Sequence, residues 1–145
     1  MTLKSLTPNL MVEDVEATIA FYRDTLGFTV TATVPDAAPY VWASLKGGDV
    51  EIMLQARHSL EEELPQLAGK PLGASLTFYI GVDDADALHS AIQDKATIIK
   101  APMTAPYGAR EFYAQDPNGY LLGFSSPARG DGETAEGQAN DAPGA

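Results

Sequence analysis

Two glutamates lie in segments with the alternating pattern of β-strands, where a carboxylate could bind a ligand or exchange protons with it. Glu51 and Glu111 are the acidic residues of these segments. A carboxylate that faces a cleft can pair with a ligand amine or act as a general acid or base. Two alternatives stay open, because Glu51 could face bulk water and Glu111 could pair with Arg110 or Lys100.

Aromatic side chains occur in the same kind of segment. Trp42, Tyr79 and Tyr113 could hold an organic ligand by stacking, while a few polar groups fix its orientation. Trp42 could instead fill a gap in the core. The Pro-rich stretch 102–106, with the following Tyr107, is interpreted either as a lid over such a ligand or as a plain connection.

Other reactive groups are scarce. The chain has no cysteine, which excludes disulfides, thiolate nucleophiles and zinc–thiolate sites. The two histidines, His58 and His89, lack metal-ligand spacing, so we interpret them as surface or partly packed imidazoles. No nucleophile stands in a recognisable pattern with a base and an orienting partner. The sequence therefore predicts no catalytic residue, no metal site and no cofactor.

The charge is strongly acidic, with 20 Asp and Glu against 9 Lys and Arg. Phosphate binding needs a basic face, so nucleic acid is not expected as a partner. A cationic small molecule would suit this field, although the acids could simply keep the protein soluble. No apolar run reaches the roughly 18 residues of a membrane span, and the start lacks the apolar region of a secretory signal. We expect a soluble, cytoplasmic protein without a membrane partner.

An internal repeat indicates which elements must position these side chains. Residues 12–17 (VEDVEA) reappear seventy positions later as residues 82–87 (VDDADA), each time after an apolar run and before an amphipathic stretch. Two copies predict two similar βα modules that bury their faces against one another and enclose a site. With 145 residues, 45% of them apolar, the chain can form one domain with a sizeable core.

Each module is predicted to have the order βαβββ. In module one, residues 4–56, Asp14 is placed to cap the helix and Gly27 to end it in a left-handed conformation. Module two, residues 74–126, repeats the order with a helix capped at Asp84. The predicted strands are 4–12, 28–34, 40–46 and 49–56 in module one, and 75–82, 97–100, 109–115 and 120–126 in module two.

The remaining segments are a linker and a tail. In the linker, residues 57–73, Ser59 and the glutamate three positions later form a capping-box start for a short helix at 60–67. The modules and the linker make up a domain of residues 1–127. Residues 128–145 contain no large apolar side chain and are predicted to form a disordered acidic tail.

Strand alternation separates the side chains that pack under the helices from those that face the ligand. If Val50, Ile52 and Leu54 face the helices, their neighbours face the opposite side. The predicted fold class is α+β, with two βαβββ modules forming a curved mixed sheet around a central cleft and the helices outside. The predicted ligand-binding residues are Asn9, Tyr40, Trp42, Glu51, Met53, Gln55, Thr77, Tyr79, Glu111 and Tyr113.

Two motifs resemble those of the vicinal oxygen chelate superfamily, which includes glyoxalases, bleomycin-resistance proteins and extradiol dioxygenases. They are Asp14 with residues 20–28 (AFYRDTLGF), and residues 113–120 (YAQDPNGY). The likeness covers residues 5–126, and the opening at 7–10 (TPNL) resembles the metal-free bleomycin-resistance proteins. Because both motifs are structural, the resemblance implies the fold and not one activity.

The resemblance also implies where a metal would be held. Metal-dependent members place His, Gln or Glu at four inward positions, on the first and last strands of each module. Hydroxyls, a thioether and a glycine are poor ligands for a divalent first-row ion. A slip of one or two positions could bring Glu51 inward but would recruit no histidine. The positions that match here are Thr7, Met53, Thr77 and Gly123.

Three functions are compatible with these patterns. The first is a metal-free protein that sequesters a small aromatic or cationic compound, as the resemblance to bleomycin-resistance proteins implies. The second is an enzyme of the superfamily, with Glu51 or Tyr113 as a general acid or base or with an atypical metal site. The third is an accessory domain whose groove binds a peptide or has lost its function. The resemblance further implies a homodimer with ligand grooves at or near its interface.

Overall fold

The computed structural model describes residues 1–128, which form two units that meet in sequence between Leu72 and Gly73. Each unit contains a four-stranded mixed sheet. Most of the predicted tail, residues 129–145, lies outside the described residues. None of the helices within residues 1–128 is long and apolar enough to cross a membrane.

The first unit has the predicted order βαβββ, followed by a further helix. Its sheet has the strand order β1-β4-β3-β2, with β1 parallel to β4 and the other pairs antiparallel. The elements are β1 (Asn9–Val12), α1 (Val15–Leu26), β2 (Thr29–Val34), β3 (Trp42–Gly47), β4 (Val50–Ala56), α2 (Arg57–Glu63) and a 3₁₀ turn (Pro65–Leu67).

The second unit repeats this arrangement. Its sheet has the strand order β5-β8-β7-β6, again with the first strand parallel to the last. The elements are β5 (Thr77–Gly81), α3 (Ala85–Ile92), β6 (Thr97–Thr104), β7 (Ala109–Gln115) and β8 (Leu121–Pro127).

The strand register confirms the duplication that the sequence predicts. Asn9 lies opposite Met53 in the first sheet, and Tyr79 lies opposite Gly123 in the second. Both members of the second pair follow those of the first by seventy positions, which is the offset of the sequence repeat. The predicted fold class, α+β with a duplicated βαβββ module, is therefore confirmed.

The helices begin at the predicted caps. The Asp14 carboxylate accepts a hydrogen bond from the Ala17 amide at 3.0 Å, and the Asp84 carboxylate accepts one from the Ala87 amide at the same distance. Each bond satisfies one of the amides that the first turn of a helix leaves without a partner. Gly27 ends α1 with φ 77°, a conformation that glycine adopts without steric penalty.

One face of each sheet carries the core. In the first sheet Ala43, Leu45 and Leu54 are fully buried, and α1 packs near β3 and β4. In the second sheet the ring of Phe112 stacks on Phe124 with centroids 5.1 Å apart. His89 of α3 contacts the same Phe112 ring edge-on at 5.3 Å, which identifies the helix-covered face of this sheet.

Several predicted boundaries are wrong. Strand β1 begins at Asn9 and not at residue 4, and β5 spans 77–81 and not 75–82. Helix α2 begins at Arg57, directly after β4, and not at residue 60. Ser59 therefore lies inside the helix, and its hydroxyl accepts a hydrogen bond from Gln55 in place of the predicted capping box.

The Pro-rich stretch is also mainly strand. β6 continues to Thr104, opposite Arg110 of β7, although the predicted strand ended at residue 100. The register between the strands is irregular from Lys100 to Met103, which is where Pro102 falls. Proline is tolerated there because β6 is an edge strand with an irregular ladder. Of the segment that was interpreted as a lid or a plain connection, only residues 105–108 lie outside the strands, and they form a turn.

Candidate functional site

The second sheet presents a face without a helix, and the predicted residues of this unit lie on it. Phe112 and Phe124 point to α3, so the alternating neighbours point the other way. Across the strands, Tyr79, Gly123 and Tyr113 form one row. The next row consists of Gly81, Ser125 and Glu111. We call this surface the open face of the second sheet.

A hydrogen-bonded cluster surrounds Glu111 on this face. Tyr107 donates to both carboxylate oxygens, at 2.8 Å to Oε1 and 2.7 Å to Oε2. The Tyr79 hydroxyl lies 2.9 Å from Oε2 of Glu111 and 2.9 Å from Oγ of Ser125. Glu111 is only 4% exposed, whereas Tyr79 is 38% exposed. These four residues, the Glu111 cluster, form a buried carboxylate held by neutral hydroxyl groups.

Glu111 is not paired with a neighbouring cation, which was the alternative from the sequence. Arg110 instead donates to both carboxylate oxygens of Asp86, at 2.8 and 3.0 Å. Asp86 belongs to α3, so Arg110 points to the helix-covered face. Adjacent residues of a strand point to opposite faces, which separates Arg110 from Glu111.

The tyrosines of this face keep their protons to unusually high pH. Burial is the main cause that raises the pKa of Tyr79, Tyr107 and Tyr113 above the ordinary phenol value. The negative charge of Glu111 raises the pKa of each further. The phenols are therefore neutral hydrogen-bond donors near neutral pH, and a phenolate base is disfavoured here.

The raised pKa values predict a loss of stability at alkaline pH. A group whose pKa is higher in the folded protein stabilises it fully below the unfolded value, about 10 for tyrosine, and this stabilisation is lost as the pH rises. We expect the Tyr107→Phe variant to lose less free energy of unfolding than the wild type above pH 10, by up to about 1.4 kcal/mol per pH unit. Urea unfolding at a series of pH values measures this difference. The same dependence of the free energy of unfolding on pH in both proteins would contradict this expectation.

Gly123 leaves space for the ring of Tyr113. A Cβ on Gly123 would lie 2.6 Å from Cε2 and 2.9 Å from Cζ of Tyr113. Real Cβ contacts are longer than this, so any other residue at 123 would displace the ring. Gly123, at a predicted metal-ligand position, thus leaves the space that the ring of Tyr113 on the neighbouring strand occupies.

The first sheet has an equivalent polar pair. The Asn9 side-chain amide donates to Oε1 of Gln55 at 2.9 Å, and these two residues precede Tyr79 and Ser125 by seventy positions. Gln55 in turn donates to Ser59 at 2.9 Å and to Glu63 at 3.0 Å. The partner carboxylate comes from α2 in the first unit and from β7 in the second, so the duplicated scaffold carries different polar groups.

The remaining predicted residues of the first unit are more dispersed. Trp42 lies opposite Gln55 and is half-buried, and Met53 lies opposite Asn9. Glu51 is exposed to solvent. Tyr40 precedes β3, and its backbone amide donates to Glu16 of α1 at 3.0 Å. Six of the predicted residues belong to this unit. Among them, within residues 1–128, only the side chains of Asn9 and Gln55 are hydrogen-bonded to each other.

Two open depressions adjoin these surfaces. One of about 630 Å³ is lined by the start of β5, including Thr77, and by Gly119 and Leu121. The other, of about 390 Å³, lies beside α2 and is lined by His58 and Glu63 among others. Glu111 and Tyr113 line neither of these two depressions.

The residues at the predicted metal positions do not fit a divalent ion. Thr7 precedes β1, Thr77 is exposed at the start of β5, and Met53 offers only a thioether. At the fourth position the ring of Tyr113 lies where the side chain of a ligand would begin. Across residues 1–128 no three His, Asp or Glu side chains are grouped so that they could hold a metal. We therefore derive no chemistry through a bound metal.

Two members of the Glu111 cluster were not among the predicted site residues. Tyr107 was interpreted as part of a lid, but it follows a strand and reaches back to Glu111 across the Ala105–Gly108 turn. Ser125 lies opposite Glu111 in the last strand, so alternation alone could have placed it on the open face. Nothing in the local sequence around Tyr107 indicates this contact.

Comparison with known proteins agrees with this fold. A family model described as the Glyoxalase/Bleomycin resistance protein/Dioxygenase superfamily matches residues 3–124. The chain therefore belongs to this superfamily, which confirms the predicted resemblance at the level of the superfamily. No curated protein matches the chain.

Solved structures of related fold come from several bacteria. A glyoxalase/bleomycin resistance protein/dioxygenase from Nocardioides is 22% identical with a TM-score of 0.72, over 90% of this chain and 87% of that one. A family enzyme from Burkholderia phytofirmans PsJN is 26% identical with a TM-score of 0.67, over 82% and 94%. TnmS3, an antibiotic binding protein from Streptomyces sp. CB03234, is 24% identical with a TM-score of 0.68, over 88% and 99%.

Proposed function

We propose that this protein binds a small aromatic compound and sequesters it without breaking a bond. The observation that carries the proposal is the open face of the second sheet, where Tyr79 and Tyr113 flank a buried carboxylate. Aromatic rings bury much apolar area and stack on planar ligands, and a few fixed polar groups set the orientation. Gly123 has no side chain, so the Tyr113 ring can lie next to it on this surface. This placement of the ring supports the proposal that the surface contacts a ligand.

The chemistry of the same residues supports binding over catalysis. The raised pKa of Tyr113 makes its phenol a weaker acid and leaves little phenolate to act as a base near neutral pH. Glu51 is exposed, whereas a general acid or base works best where water is excluded. The side chains at the superfamily's metal positions do not suit a Lewis-acid mechanism. TnmS3 is described as an antibiotic binding protein, so the fold can host this role, although its 24% identity relates it to this chain by fold alone.

The alternative is an enzyme that works without a metal at the usual positions. Glu111 favours this alternative most, because it is a buried carboxylate in contact with two phenols. Such groups can exchange protons with a bound substrate. A compound recovered chemically unchanged after prolonged incubation with the protein would favour binding, and a new product would favour the enzyme.

Binding of a neutral aromatic probe tests the proposal. We expect naphthylmethanol to shift the amide resonances of β5, β7 and β8 in a saturable titration. The Tyr113→Ala variant should bind it roughly tenfold more weakly, because an aromatic contact contributes about 0.5–1.5 kcal/mol beyond area burial. The exposed Leu64, beyond α2, provides the control Leu64→Ala, which should bind as the wild type does.

Two results would contradict the proposal. One is equal affinity of the wild type and Tyr113→Ala for the probe. The other is a full equivalent of divalent ion in protein purified without a chelator, since that would indicate a metal centre. The homodimer implied by the family is a separate proposal, which analytical ultracentrifugation of the free protein tests.

A further inference from the structure

Glu111 is a buried charge without an opposite charge. Within residues 1–128, none of the ion pairs involves this residue. Its partners are the hydroxyls of Tyr79 and Tyr107, which supply one proton each. A carboxylate has about four lone-pair sites, so two neutral donors leave part of its capacity unused.

The hydrogen-bond partners of Glu111 within residues 1–128 are hydroxyl groups and not cations. A carboxylate removed from water is compensated by hydrogen bonds or by a cation, and among the described residues only the hydrogen bonds are present here. The neighbouring Arg110 is committed to Asp86 on the other face of the sheet. A buried carboxylate whose donors are all hydroxyl groups is a candidate to pair with a cationic group of a ligand.

The surroundings of Glu111 suit an organic cation. The rings of Tyr79 and Tyr113 occupy the adjacent row of the open face, and Tyr107 contacts the carboxylate directly. The faces of aromatic rings attract ammonium groups, because the ring quadrupole places negative charge there. A small divalent ion fits less well, because it requires several oxygen ligands and Glu111 is the one carboxylate of the cluster.

An approach to the carboxylate lies over Gly81. This glycine is in the same row as Ser125 and Glu111, at the edge of the sheet. No atom lies within 4 Å of the position that its Cβ would take, so this part of the face is open. Tyr79, the exposed member of the cluster, lies two residues before Gly81 in β5, and its hydroxyl donates to Oε2 of Glu111.

We propose that Glu111 is the counter-ion for a protonated amine of the ligand, with the tyrosine rings of the open face around the ammonium group. This inference rests on the proposed binding function and specifies the class of compound as an aromatic amine. The ammonium donates to Glu111 in a charge-assisted hydrogen bond, which is stronger than a bond between neutral groups. The aromatic part of the same compound then stacks on Tyr113.

A matched pair of probes tests this inference. Naphthylmethylamine and naphthylmethanol differ only in an ammonium or a hydroxyl group near neutral pH. We expect the wild type to bind the amine about tenfold more tightly than the alcohol, because both groups can donate to Glu111 but only the ammonium adds an opposite charge. In Glu111→Gln this preference for the amine over the alcohol should disappear. Isothermal titration calorimetry measures both affinities.

The control and the second variant separate the possible failures. Glu62→Gln makes the same chemical change on the exposed surface of α2 and should keep the preference for the amine. Tyr79→Phe removes a donor from the carboxylate but retains the ring, so the preference should increase. This variant also tests the inference should Glu111→Gln fail to fold.

Four outcomes would overturn the inference. Equal affinity of the wild type for both probes would remove the role of Glu111 but leave the proposed binding function in place. A preference that persists in Glu111→Gln, or that is lost in Tyr79→Phe, would assign recognition of the amine to another group. Binding of neither probe at millimolar concentration would overturn both this inference and the proposed function.

Discussion

Replacing Gly73 by alanine should lower the free energy of unfolding by about 3–5 kcal/mol. Two physical causes act together. Gly73 has φ 76°, a left-handed conformation that costs a residue with a Cβ about 1–2 kcal/mol. A Cβ there would also lie 2.4 Å from the carbonyl carbon and 2.5 Å from the carbonyl oxygen of Gly119, so the backbone must move. Chemical denaturation of the wild type and the variant measures the difference.

Gly69 provides a matched control for the steric part of this effect. It has φ 74°, but no atom lies within 4 Å of the position of its Cβ. Gly69→Ala should therefore lose only about 1–2 kcal/mol, from the backbone conformation alone. Equal losses for the two variants would mean that the contact between Gly73 and Gly119 contributes nothing.

The same contact connects stability with the open face of the second sheet. Gly119 belongs to the turn before β8, in which the Asp116 carboxylate accepts hydrogen bonds from the amides of Asn118 at 2.8 Å and Tyr120 at 2.9 Å. Gly73 lies against this turn shortly before β5 begins. Gly73 thus fixes where β5 starts beside β8, and the register of β5 determines where Tyr79 lies.

Short-range patterns in the sequence account for the scaffold. The repeat, the caps at Asp14 and Asp84 and the glycine at 27 depend on residues a few positions apart, and all of them are confirmed. Alternation within a strand also separates the helix-covered face from the open face, because successive side chains point to opposite sides. Tyr113 and Glu111 are therefore correctly separated from Phe112.

The contacts within the site could not be predicted in this way. Glu111 stands between Arg110 and Phe112 in the sequence, and a nearby cation is the natural partner to expect. Its observed partners come from a turn and from a strand 32 positions away, so only the sheet register brings them together. The start of α2 was misplaced for a related reason, because Ser59 has the sequence of a cap but hydrogen-bonds to Gln55.

Gly123 shows how one position can be interpreted in two ways. From the family resemblance it is a metal-ligand position that carries no ligand. In the structure it is the place that the Tyr113 ring occupies, since a Cβ there would lie 2.6 Å from that ring. The second interpretation predicts a large effect for a very small substitution.

The Gly123→Ala variant should therefore lose about 1–2 kcal/mol of stability, the lower part of the range for overpacking, because the Tyr113 ring is the end of a side chain that can move. Its methyl group must displace the Tyr113 ring, so binding of naphthylmethanol should weaken, by no more than in Tyr113→Ala. Thermal or urea unfolding measures the first effect, and the resonance titration measures the second. Gly81→Ala is the matched control for the stability measurement, because no atom lies within 4 Å of its Cβ position and its free energy of unfolding should be the same or slightly higher.

A double variant decides whether the ring is the cause. If the methyl group acts only through Tyr113, adding Gly123→Ala to Tyr113→Ala should lower stability much less than it does in the wild type, because the ring is already absent. The coupling between the two substitutions should then reach about 1–2 kcal/mol, within the range for residues in direct contact. Additive losses would instead assign the cost to the backbone oxygen of Phe78, which is 3.2 Å from the same Cβ position. In that case a side chain at 123 would be excluded by the backbone of β5. The position of Tyr113 on the open face would then not depend on Gly123.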